Sequence, residues 1–332
     1  MSRLLLIACI LIIAAGCRKN EFVADDKYAL LSITPVVNKD EATVAHHESY
    51  IDQFKIGIQV TNSKGSELYF HYTRNLLLSY SDTWILSKPV CLSVIHAKLF
   101  AYYPYTQNEQ NLLGIGETAL VYLNIPNEQI MAQQIDYMYA SQSTYLPAGG
   151  GPIDYANPNV ILELRHALSL ISFVIYKEDF TGAGKLTNIE ISDVSDSSGL
   201  TINPLGGDKL AMRLTDGTII NGDPSSKISV NTVESSITES TDPGVDETQL
   251  QTMVNGYMYV VPSVFSERSN IQFSLTIDDK VYTVTHTGVG ELTWLKGFQY
   301  IYKLRLTQTS LSIMNIIITD WDVNYGGEII IL

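Results

Sequence analysis

The chain has 332 residues, 45% hydrophobic and 17% charged, which is enough for two domains of ordinary size, each with its own core. Its formal net charge is −14. So acidic a chain argues against nucleic acid and against docking on anionic lipid, since both need basic patches. Twenty tyrosines, and short apolar runs set between Gly, Pro, Asn, Asp and Ser, point to an all-β protein.

Residues 1–16 read as an export signal, with Arg3 as the basic start and an apolar run over 4–15 too short to span a bilayer. The run ends Ala14-Ala15-Gly16-Cys17. Here the segment resembles a bacterial lipoprotein signal with a lipobox. That resemblance implies cleavage before Cys17 and lipid attachment to its thiol. An ordinary cleaved signal peptide with an incidental cysteine is the plainer alternative. Residues 17–27 would then form a polar tether.

Residues 28–37 (YALLSITPVV) are the first strand candidate, broken by NKDEAT at 38–43. Residues 52–60 alternate and run into the turn NSKG, so 67–72 are expected to return as the second arm of a hairpin. Strands are expected over 83–86, 90–103, 120–125 and 135–140. The Gly- and Pro-rich stretch 147–159 is expected to link two domains. Residues 160–176 (VILELRHALSLISFVIY) alternate apolar residues on one face, interrupted by His166 and Ser172. Helical spacing also fits Leu164, Leu168, Ile171 and Ile175. The β-branched and aromatic run ISFVIY favours one long strand, kinked near Ala167, that opens the second domain.

In the second half, 178–185 (EDFTGAGK) fails as a phosphate loop and reads as a hairpin tip before a return strand over 186–191. The polar stretch 231–248 is expected to be a surface loop. Strands are expected over 257–262, 271–277 and 298–307. In the last of these, Phe298, Tyr300, Tyr302, Leu304 and Leu306 share one face, and Gln299, Lys303 and Arg305 the other. Residues 312–323 and the apolar EIIIL close the chain.

No catalytic or metal-binding pattern emerges. His46 and His47 are adjacent and would point to opposite faces of a strand. His71, His96, His166 and His286 are scattered singly and read as structural. Cys91 is left alone in the body and reads as a small buried hydrophobe. Asp320 and Asp322 flank Trp321 and could share a strand face as a metal or acid pair, the basis of a hydrolase reading.

Five pieces, taken in order, resemble the fimbrillin family, the subunits of type V pili in Gram-negative anaerobes. They are the lipobox at Cys17; Trp84 ahead of AYYPY at 101–105; QIDYMYA at 134–140; RHALSLISFVI at 165–175; and GFQYIYKLRL at 297–306 with ITDW at 318–321. The resemblance implies two tandem transthyretin-like β-sandwich domains, over 28–156 and 157–332. It implies no catalysis and no cofactor, and export as a lipoprotein to the outer membrane and cell surface. In polymerising members a trypsin-like protease removes the first strand, and a C-terminal strand of the next subunit fills the vacated groove. By that logic residues 28–37 are released, Lys39 is the processing candidate, and 312–332 hold the donor. The family's processing site is usually an arginine, whereas Lys39 is flanked by Asp40 and Glu41. An unprocessed anchor or accessory subunit therefore stays open beside the polymerising role. The partners implied are other pilus subunits, and a host or bacterial surface ligand is compatible with the role. The tyrosine content and lipid anchor also suit an alternative, a surface lipoprotein that binds glycans.

Overall fold

The computed structural model describes residues 27–37, 53–141, 145–147, 151–195, 201–203, 210–221 and 223–321. They are predominantly β. The first half supplies β1 (Ala29–Leu30), β2 (Ser32–Val37), β3 (Ile56–Asn62), β4 (Leu76–Ser81), β5 (Thr83–Leu86), β6 (Cys91–Leu92), β7 (Ala97–Tyr103), β8 (Leu112–Leu113), β9 (Leu120–Tyr122), β10 (Glu128–Ile130), β11 (Met138–Ala140), β12 (Tyr145–Pro147) and β13 (Asn159–His166). The second half supplies β14 (Ser169–Lys177), β15 (Lys185–Asp193), β16 (Thr201–Asn203), β17 (Ala211–Arg213), β18 (Ile219–Ile220), β19 (Asp223–Ser225), β20 (Lys227–Ser236), helix α1 (Glu247–Thr252), β21 (Gly256–Val260), β22 (Ser263–Phe265), β23 (Ile271–Ile277), β24 (Lys280–Thr285), β25 (Leu292–Trp294), β26 (Phe298–Leu306) and β27 (Leu311–Asp320).

The first half is built on a sheet ordered β12-β13-β11-β7-β3-β4-β5, with β2 added alongside β13. Its core gathers Phe54, Ile56, Ile58, Val60, Leu76, Leu78, Leu99, Val160, Leu162 and Leu164. The second half is a sandwich of β10-β20-β15-β23-β24 and β21-β14-β26-β27. Phe173, Phe273, Trp294 and Tyr302 fill the space between those sheets, and the Trp294 indole N–H donates to the Tyr302 hydroxyl at 3.1 Å. Strict alternation in β23 buries Ile271, Phe273, Leu275 and Ile277 and leaves the residues between them only half-buried, as period two requires.

The two halves interlock. β10 pairs in parallel with β20 of the second half, and β9 pairs antiparallel with β17. A third core lies at the junction. It joins Phe100, Tyr102, Val121 and Tyr139 to Leu168, Leu170, Met212, Tyr259 and Trp321.

Several expectations are corrected. The stretch 160–176 is two strands rather than one. Ala167, fully buried, donates its N–H to Tyr137 O at 2.8 Å, and the chain there leaves the first sheet for the second. β13 pairs with β2, β11 and β12, whereas β14 pairs with β21 and β26. Periodicity carries no trace of this change, because both strands are apolar on their inner faces. The supposed linker packs into the first core through Ile153, whose carbonyl accepts from Ala97 N at 2.8 Å. Residues 67–72 form turns and bends with a single bridge, Thr61 to Leu68, and the strand partners of β3 are β4 and β7. Within 231–248, residues up to Ser236 belong to β20, and Asp246 caps α1 by accepting from Gln249 N.

β26 departs from its alternation in a telling way. Gln299 and Lys303, expected outside, are buried, because α1 and the segment before it cover that face, with Leu250 packed on Val174 and Ile301. Lys303 Nζ donates to Asp242 Oδ1 at 2.6 Å and to Gly244 O at 2.8 Å. The hydrogen bond from Lys303, with one from Gly244 N–H, holds the half-exposed Asp242 carboxyl below its usual range. A carboxyl depressed in the folded state stabilises the fold above its unfolded pKa, and that contribution is lost as pH falls through the folded value. Asp242→Asn should therefore cost about 1 kcal/mol at neutral pH, the half-exposed site being partly screened. The difference from the parent chain should shrink on acidification, as read by denaturant titrations across the acid range.

Candidate functional site

The candidate site is the slot occupied by the first strand. Within β2 and the residue ahead of it, Leu31, Ile33, Pro35 and Val37 point inward, while Ser32 and Thr34 face solvent. β1 runs antiparallel to β6, pairing Leu30 with Cys91. β2 runs parallel to β13 over its whole length, from Ser32 opposite Asn159 to Val37 opposite Leu164. Ser32 donates to Pro158 O at 2.9 Å, so the even-numbered residues of β2 turn their backbone groups to β13. Leu31 donates the other way, to Val90 O at 2.9 Å. Pro35 shares that outward parity, so its missing N–H removes no bond from the β13 ladder, the one setting in which a strand tolerates proline.

The slot has apolar walls. Val160, Leu162 and Leu164 of β13, with Phe54, Val90 and Leu92, belong to the same core as Leu31, Ile33 and Val37. On its far side β2 abuts β5, where Trp84 is partly buried against that core. Burying each large apolar side chain contributes roughly 1.5–3 kcal/mol. Three such residues plus a strand-length ladder approach the stability of a whole domain, about 5–15 kcal/mol. An empty slot would expose both the apolar walls and one edge of β13.

At the other end of the chain, β27 is the edge strand of its sheet, antiparallel to β26 along its length with a bulge at Met314. Met314 and Ile318 are exposed on it. Trp321 follows, its N–H donating to Gly297 O at 2.9 Å. Its indole stacks on His166 with centroids 3.9 Å apart and lies 5.1 Å from the Tyr259 ring. His166, at the end of β13, places Nδ1 2.8 Å from Asp136 Oδ2. Both side chains are almost wholly buried, and the contact has the distance of an ion pair without the angular geometry of a hydrogen bond. The end of β27 is thus fastened to the junction between the halves.

The remaining sequence candidates are dispersed. Cys17, Lys39, His46, His47 and Asp322 lie outside the described residues. Asp320 is exposed at the end of β27, opposite Phe298. His71 and His96 are exposed, and His96 lies 3.6 Å from Asp154. His286 is buried edge-on to Tyr302, and burial pushes its pKa down. Cys91 is half-buried rather than fully buried, because it sits on the short β1–β6 ladder at the rim. Among the described residues no group of three or more His, Cys, Asp or Glu is placed to hold a metal ion, and no helix is long and apolar enough to cross a membrane. The His166–Asp136 pair is what sequence reasoning missed. Its signal was an acid and a histidine, each interrupting an apolar strand, and only the β11–β13 register, Met138 opposite His166, brings them together.

The described chain is thus all-β, and its first strand closes a core along a sheet edge. The family model described as fimbrillin-like matches residues 43–321, and the chain belongs to that family. No curated protein matches it. Among solved structures it is similar to a candidate cell adhesion protein from Bacteroides uniformis, with TM-score 0.58 and 15% identity over 89% of this chain and 99% of that one. A candidate cell adhesion protein from Bacteroides ovatus gives TM-score 0.56 at 14% identity, over 90% and 99%. A fimbrial protein from Bacteroides vulgatus gives TM-score 0.57 at 13% identity, over 88% and 99%. At these identities the similarity is one of fold.

Ile33→Ala should cost about 2–4 kcal/mol, and Thr34→Ala, exposed on the same strand, less than about 0.5 kcal/mol, by denaturant unfolding. His166→Phe keeps a ring against Trp321 but strands the Asp136 carboxylate. It should destabilise by about 3 kcal/mol, and adding Asp136→Leu should recover most of that loss in a double-mutant cycle.

Proposed function

We propose that the protein is a structural subunit of a cell-surface pilus, without catalytic activity, that assembles by donor-strand addition. The observation that carries this reading is β2 itself. It is an edge strand, held to β13 and by its alternating apolar residues, and a strand of the same parity from another chain would satisfy the same groups. Its fold-level relatives include a fimbrial protein, which supports the same role. On this reading the precursor is a lipoprotein carried on Cys17 in the outer membrane. Cleavage after Lys39 then cuts the connection between β2 and β3 and frees the first strand. The two sandwiches are tandem transthyretin-like domains, and the passage from one to the other falls at Ala167.

The donor is residues 322–332, a narrower segment than 312–332. β27 is already paired with β26 in its own subunit, so Leu311–Asp320 completes that sheet. Trp321 fixes the point from which a donor would leave. The sequence beyond it ends in Ile329, Ile330, Ile331 and Leu332, apolar side chains of the kind the slot buries.

Intact mass and N-terminal sequencing of protein from outer membrane and from sheared fibres test this directly. The expected fibre form begins at Asp40 and lacks β1 and β2. Protein that begins at acylated Cys17 and stays in the membrane would sink the polymerising role. Deleting 322–332 should abolish incorporation into fibres while leaving the unfolding midpoint of the monomer unchanged. Continued assembly of that deletion would remove the segment as donor.

A further inference from the structure

We propose that a cleft on the first half, between the end of β7 and the end of β9, is a binding site for a neutral saccharide. The cleft has a volume of 480 Å³, within the usual range for small-ligand sites. The half-buried Tyr105 and Tyr122 border it, backed by the buried Tyr102 and Tyr137, with Asn111 and Asn124 among them. Aromatic faces accept the C–H face of a sugar ring, and side-chain amides offer donor and acceptor side by side for neighbouring hydroxyls.

The lining is unusual for this chain in its charge. Among the described residues no Asp, Glu, Lys, Arg or His lines the cleft, although the protein carries a net charge of −14, and Glu109 acts on Tyr102 from outside the lining. The lining itself offers a cation no carboxylate and an anion no base. Burial raises the pKa of the Tyr102 and Tyr137 phenols, so the walls stay neutral at physiological pH.

The walls are also held in place from behind. Tyr102 Oη donates to Asn75 Oδ1 at 2.7 Å. Asn124 N–H donates to Tyr137 Oη at 2.9 Å, and Asn111 Nδ2 donates to Thr106 Oγ1 at 3.3 Å. These bonds fix the rings before any ligand arrives, as a preorganised site requires. The side chains of Tyr105 and Asn124 make no hydrogen bond among the described residues, and Asn124 is exposed. They are the groups left for a ligand. A proline-rich peptide also docks on aromatic grooves, but it brings few donors and would leave the asparagine carbonyls unmatched.

Saturation-transfer NMR on the full mature chain tests the site, with the methyl glycosides of glucose, galactose, mannose, fucose and N-acetylglucosamine as probes. Transfer to the ring protons of at least one probe is expected. Tyr105→Ala should weaken it about fivefold or more, the scale of one lost aromatic contact. Asn124→Ala, a substitution on the surface, should also weaken it without altering the fold. Tyr80→Ala, at an exposed tyrosine packed on Trp84 away from the cleft, should leave it unchanged. No transfer to any probe, transfer unchanged in Asn124→Ala, or binding of a proline-rich decapeptide alone would each overturn the proposal.

Discussion

The parallel pairing of β2 with β13 is the constraint on which the first half depends. A parallel pair cannot be closed by a tight turn, so the two strands meet only through the long crossover that carries β3 to β12. Leu31, Ile33 and Val37 complete a core whose other walls come from β3, β7 and β13. Such an element is energetically essential yet topologically peripheral, because β2 has one paired neighbour, β13, and the rest of its hold comes from alternating side chains and the short β1–β6 ladder. On the proposed function, that combination is what a donor strand from another subunit would exploit.

The junction imposes the second constraint. β9 and β10 leave the first half to pair with β17 and β20, so neither half owns all of its strands. Phe100, Tyr139, Leu170, Tyr259 and Trp321 then fill the space between. The stack of Trp321 on His166 fastens the end of β27 there, and the buried Asp136 beside His166 is tolerable because the imidazole meets it. If residues beyond Trp321 serve a neighbouring subunit, they leave from a fixed point, and a fixed departure point sets how one subunit sits against the next.

Parts of this were legible in the chain. β23 and β24 follow their alternation, with Asp278 and Asp279 in left-handed conformations at the hairpin tip between them. The first strand was visible as an apolar run ending before NKDEAT. Other features were not visible. A kink near Ala167 was legible, but the change of sheet there was not, because a strand that changes sheets keeps the same period. Nor was the burial of Lys303, because the cover over β26 comes from residues 240–252, which look polar and loop-like in isolation.

The sequence by itself determined the all-β class, most strand positions, the lack of any recognisable catalytic or metal motif, and a family resemblance that the match over 43–321 bears out. Only the tertiary structure decided which strand pairs with which, that β2 lies parallel to β13, and that four tyrosines and two asparagines meet in one cleft. The reason is physical. Local propensity and period two fix whether a segment is a strand and which face is apolar. They carry no information about the partner, which is chosen by the packing of side chains far apart in the chain.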